Sequence, residues 1–231
     1  MLLIMLSFGL LNIEAVKIRG SSYNTESPNL ARCFQGGELN ESLTALKLQG
    51  GPLLVKASRS LLVEARTPGC RAQVVQALIT NMEEASKNLT NPYENYFFFK
   101  NGASLLKELK ATEALDLLIA NIDLNDGYPS SLDDFPAFVA IVKIGEPAIP
   151  KLQLVLSNSS DPVTRKFAAF AIAYIGGSEA KNALTSALSR ETDPCVKNLL
   201  QVSLQAFDNK PKPNHISSKL NGKWLSAFYC R

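Results

Sequence analysis

The stretch DPVTRKFAAFAIAYIGG, from Asp161 to Gly177, is followed 32 residues on by a second Asp-Pro opening, DPCVKNLLQVSLQAF, from Asp193 to Phe207. Repetition at a fixed interval constrains a fold tightly, because each unit must bury its apolar face against the next copy of itself. The interval recurs at other positions: Gly145 and Gly177, Leu152 and Leu184, and Leu156 and Leu188 are also 32 residues apart. A unit of that length holds two short helices and their turns.

The repeated opening has a physical reason. Asp161 and Asp193 stand where a carboxylate accepts the unpaired amides of a helix's first turn, and Pro162 and Pro194 stand where a missing N–H costs nothing. Gly145 or Gly176 is then placed to end the first helix in the left-handed conformation. Second helices are expected over 147–157 and 179–190.

The same order of cap, helix, stop and helix reads back along the chain. GPLLVKASRSLLVEA places Pro52 in a first turn, and TPG at 67–69 stops it ahead of CRAQVVQALITNMEEASK, whose Val74, Val75, Leu78, Ile79 and Met82 share a face. Asn91 is placed to cap a helix opening at Pro92, and Thr112 to cap EALDLLIANI. DDFPAFVAIVKIG pairs with EPAIPKLQLVL. The helix opening at Asp193 would take its partner from the tail.

The stretch from about 133 to 208, with its Asp-Pro opening, AAFAIAYIGG helix end and A-x-x-A-L-x-x-A-L second helix, resembles HEAT repeats, in particular the short variant of phycobilisome lyases. The resemblance implies an all-α fold, a right-handed α-solenoid of about four to five stacked helical hairpins that holds partners. It implies no chemistry by itself. Second helices of such repeats line the concave side, so the resemblance makes Lys151, Gln153, Lys181, Asn182, Thr185 and Ser186 candidate contacts for a protein partner.

Four segments are expected: a signal peptide over 1–15, a linker and cap over 16–50, the helical-repeat domain over 51–208, and a tail over 209–231. The apolar run Leu2–Leu11 is about half of the roughly 20 residues a membrane-crossing helix needs. It fits the core of an export signal, with Ala15 at the cleavage point, although no Lys or Arg precedes it. A buried or frayed N-terminal helix is the alternative. The export reading places the chain in a secreted or periplasmic setting.

A net charge of +3, from 24 basic and 21 acidic residues scattered along the chain, is too small and too dispersed for a phosphate-backbone footprint. Lys151, Arg165, Lys166, Lys181 and Arg190 are interleaved with Glu146, Asp161, Glu179 and Glu191 and read as a mixed solvated surface. Catalytic signals are missing: the single histidine, His215, cannot supply a two-histidine metal site. Adjacent carboxylates such as Glu83–Glu84 and Asp133–Asp134 do not face one another on a helix. Asp133 and Asp134 are expected at a helix start. Neither QGG nor IGG carries the lysine of a phosphate loop. No metal or cofactor is expected.

YENYFFFKNG, with Tyr93, Tyr96, Phe97, Phe98 and Phe99, is expected in a large core, although three consecutive Phe span enough of a helix for one to point outward. Sequons stand at Asn40, Asn88 and Asn158. Cys33, Cys70, Cys195 and Cys230 form an even set, compatible with disulfides in an oxidising compartment or with four buried thiols in a reducing one. In a stack of repeats Cys70 and Cys195 lie too far apart to bridge, and crossed pairings would run a terminal segment the length of the stack. The pairings left are Cys33–Cys70 and Cys195–Cys230. The most economical functional expectation is a non-enzymatic scaffold for a protein partner. A ligand-cradling or lyase-like accessory subunit is the alternative, and a nucleic-acid-binding solenoid a more distant one.

Overall fold

Five of the helices begin with proline. The computed structural model describes residues 33–34, 37–67, 69–87, 92–127 and 132–208, and these hold ten α-helices and no strand. They are α1 (Glu38–Ala45), α2 (Pro52–Arg66), α3 (Arg71–Lys87), α4 (Pro92–Glu108) and α5 (Leu115–Ala120), then α6 (Pro136–Ile144), α7 (Ile149–Asn158), α8 (Pro162–Ile175), α9 (Gly177–Leu188) and α10 (Pro194–Asp208). Pro52, Pro92, Pro136, Pro162 and Pro194 each open a helix, where a fixed φ is already helical and no amide is lost. The expected signal peptide, residue 91 and the tail lie outside the described residues.

Asp161 accepts hydrogen bonds from the amides of Val163 (3.1 Å) and Thr164 (2.8 Å), and Asp193 from those of Cys195 (2.9 Å) and Val196 (3.0 Å). Both expected caps form. The Gly stops work differently from expectation: Gly145 and Gly176 have φ of 92° and 77° with ψ of −144° and −169°. That is an extended backbone at positive φ, a region essentially reserved for glycine, instead of the left-handed helical one. After Gly176 the chain enters α9 at once, whereas after Gly145 it passes through a 3-10 turn, Glu146–Ala148, into α7.

Three further places differ in detail from expectation. Thr112 caps nothing: it opens a 3-10 turn, Thr112–Ala114, whose cap position belongs to Ala111, and α5 starts only at Leu115. Asp133 and Asp134 lie in another 3-10 turn, Leu132–Asp134, just ahead of α6. The segment read as linker and cap contains α1, which packs on α2 and buries Leu43, with Leu46 just beyond its end. Asn101 of α4 donates to the carbonyls of Leu46 (2.7 Å) and Leu48 (3.0 Å), satisfying oxygens that the end of α1 leaves unpaired.

The helices pack in a regular order. Each of α2, α4, α6 and α8 touches the next even-numbered helix, through α10, while α5 packs on α7 and α7 on α9. Helices also pack on their chain neighbours, as α2 on α3, α3 on α4, α7 on α8 and α9 on α10. One continuous apolar core results, centred on Phe99, Phe138, Phe167 and Phe170. No residue of α6 is exposed. In α4, Phe97, Phe98 and Phe99 are all buried, because that helix is packed against α2, α3 and α6 at once; only Tyr93 of the aromatic run points out, 61 % exposed.

Candidate partner-binding surface

The surface of α9 follows from its spacing. Ala180, Ala183 and Leu184 are buried against the core, which leaves Lys181, Asn182, Thr185 and Ser186 exposed as a stripe on the opposite side. The Thr185 hydroxyl donates to the Lys181 carbonyl (2.8 Å), and the Ser186 hydroxyl accepts from the Arg190 guanidinium. These bonds hold the stripe to its own helix.

On α7 the two candidate residues are only half-exposed. Lys151 and Gln153 flank the buried Leu152, and the exposed positions are Pro150, Leu154, Ser157 and Asn158, with Leu154 61 % exposed. The exposed stripe is therefore rotated from the one expected, and its most accessible large side chain is apolar. Lys151 Nζ lies 2.5 Å from Asp116 Oδ1, an ion pair that ties α7 to α5. That partner comes from 35 residues earlier, beyond the reach of local pattern. A second inter-helix pair joins Arg71 of α3 to Glu113, in the turn before α5. The Arg71 guanidinium holds the Glu113 carboxyl below its usual range.

Below the end of α9 lies a polar cleft of about 240 Å³, lined by Ser157, Ser159, Arg190 and Thr192 and floored by Arg165 and Glu191. It is smaller than the roughly 300–1,000 Å³ of usual small-molecule sites. Its floor is occupied with its own bonding: Arg165 Nε and Nη2 donate to the two Glu191 oxygens (2.9 and 3.0 Å), and Nη1 donates to the Ser159 carbonyl (2.9 Å). Glu191 Oε1 also accepts from the amides of Thr192 (3.0 Å) and Asp193 (2.9 Å). Burial pushes the Glu191 carboxyl up, but these donors, led by Arg165, outweigh it and leave its pKa lowered. The arrangement fixes the turn before α10 and leaves little for a ligand.

Cys33 and Cys70 form a disulfide, with Cα atoms 5.4 Å apart. Cys195 is disulfide-bonded as well, and its expected partner, Cys230, lies outside the described residues. The Glu64 carboxylate accepts a hydrogen bond from the Phe34 amide (3.4 Å), and its oxygen and the sulfurs of Cys33 and Cys70 lie within 4.8 Å of one another. With both sulfurs bonded together, this group offers no thiolate to a metal.

Glu83 and Glu84 are exposed on α3, and Asp133 is exposed ahead of α6. Asn40 and Asn158 are exposed, while Asn88 and His215 lie outside the described residues. No helix among the described residues is long and apolar enough to cross a membrane. No protein-family model, curated protein or solved structure matches the chain.

Proposed function

We propose that this chain is a HEAT-like, right-handed α-solenoid that acts as a non-enzymatic scaffold for a protein partner in an exported, oxidising setting. The observation that carries the reading is the packing order: even-numbered helices stack on even-numbered ones while α5, α7 and α9 stack alongside, as repeats of one unit would. Such a row presents a continuous surface of second helices. On it, α9 offers Lys181, Asn182, Thr185 and Ser186, and α7 offers Leu154 with Gln153 beside it. Lys151 contributes by holding α7 to α5 and is removed from the direct contacts. The Cys33–Cys70 disulfide supports the exported setting.

The test is capture from the native source. The full chain and a variant carrying Lys181→Ala, Asn182→Ala, Thr185→Ala and Ser186→Ala are used as bait. Alanine keeps the helix, so unchanged circular dichroism with lost capture supports the α9 surface. Equal capture by both baits overturns it.

A further inference from the structure

Among the described residues, exposed aliphatic side chains gather on α2. Of the seven large hydrophobic side chains exposed among the described residues, three stand on this one helix: Leu53 (65 % exposed), Val55 (60 %) and Val63 (56 %). Leu48, 39 % exposed, sits in the turn just before it. The inner face of α2 buries Ala57, Leu61 and Ala65. Its outer face carries Lys56, Arg59 and Arg66, and no carboxylate is exposed on the helix. None of these three cations is ion-paired among the described residues, whereas Arg71, Lys151 and Arg165 all have carboxylate partners.

The order of side chains around the helix decides what such a face fits. At about 100° per residue, Arg59, Val63 and Lys56 occupy the middle of the exposed arc, Arg66 lies next to them, and Val55 and Leu53 form the two borders. A helix lying on a bilayer needs a middle free of cations, which stand only on the flanks, so that no charge is pressed toward hydrocarbon; here Arg59 and Lys56 stand close on either side of Val63. A protein helix with carboxylates along the centre of its contact face and aliphatic residues beside them meets the order found here. Each guanidinium fork would find a carboxylate while the borders pack against aliphatic chains.

We infer that the outer face of α2 docks an acidic amphipathic helix of a partner protein. The inference rests on the scaffold reading for the existence of a partner, but it uses a different helix from the α9 surface, so the two fail separately: a chain whose α9 stripe captures nothing can still bind through α2.

The experiment uses the full, oxidised chain and three probes: a fluorescein-labelled amphipathic peptide matching α2 in length with Glu and Leu on one face, the same peptide with Gln for Glu, and vesicles of anionic phospholipid. Fluorescence anisotropy should show binding of the Glu peptide and at least roughly tenfold weaker binding of the Gln peptide. Two double variants, Lys56→Glu with Arg59→Glu and Val55→Ser with Val63→Ser, should each weaken the Glu peptide by a similar factor with unchanged circular dichroism. The inference is overturned if the Glu and Gln peptides bind alike, if neither binds, or if the double variants leave the Glu peptide unaffected. It is also overturned if the vesicles are bound and the same substitutions release them, which would make α2 a lipid-facing helix.

Discussion

Asp161 and Asp193 are 32 residues apart and perform one task, each accepting the two amides that the first turn of its helix would leave without a partner. Hydrogen bonds from the Thr164 hydroxyl and then its amide hold the Asp161 carboxyl below its usual range. Replacing either aspartate by alanine should cost about 1 kcal/mol, read as a lower thermal midpoint with unchanged far-ultraviolet dichroism before the transition. Loss in neither variant would remove capping as the reason for the repeated opening. These caps are legible in sequence because donor and acceptor lie two or three residues apart. Thr112 misleads for a related reason: its hydroxyl suits a cap, but the chain there makes a 3-10 turn first, a choice that depends on how Ala114 and Leu115 are buried.

At the scale of elements, the joint between α8 and α10 is made by a pair of side chains that local pattern does not connect. Arg165 and Glu191 have side chains only 12 % and 6 % exposed, and Arg165 donates two hydrogen bonds to the Glu191 carboxylate. Removing one partner leaves a buried charge alone, so Arg165→Met or Glu191→Leu by itself should destabilise by about 3 kcal/mol or more. Combining them should recover only the part of that loss that comes from the unpaired charge, because the Thr192 and Asp193 amides and the Ser159 carbonyl still lose their side-chain partners. A denaturant-unfolding double-mutant cycle checks this, and simple addition of the two losses would show that the pair acts independently. Helix openings and stops were readable from Pro and Gly. Helix α1 was not, because its eight residues bury little of their own and its carbonyl ends are secured by Asn101, far along the chain.

For the molecule as a whole, the shifted groups set where stability changes with pH. The carboxyls of Asp161, Glu113 and Glu191 are held below their ordinary values of about 4, so their contribution is complete above that range and is lost as pH falls through the folded values. Burial, aided by the charge of Asp133, pushes the Tyr174 phenol up to about 12, so its contribution is complete below its ordinary value near 10 and is lost as pH rises toward 12. Thermal midpoints across pH should therefore be level between about 6 and 9 as far as these groups are concerned and fall at both ends. A slope across that middle range would assign control to other groups. The repeat interval made the order of the helices visible from the sequence, whereas the α9 stripe was expected from the resemblance to HEAT repeats, and its exposure follows from the burial of Ala180, Ala183 and Leu184 on the other side. The α7 stripe and the α2 face were not visible, because they depend on which side of each helix its neighbours cover. The disulfide adds a mechanical property to this arrangement: α1 and α2 lie wholly within the loop it closes, 37 residues from Cys33 to Cys70. Tension applied at Cys33 passes through the sulfurs to the start of α3 and bypasses both helices. Roughly 120 Å of extended chain is thereby held in reserve and comes into the load path only when the bond is reduced.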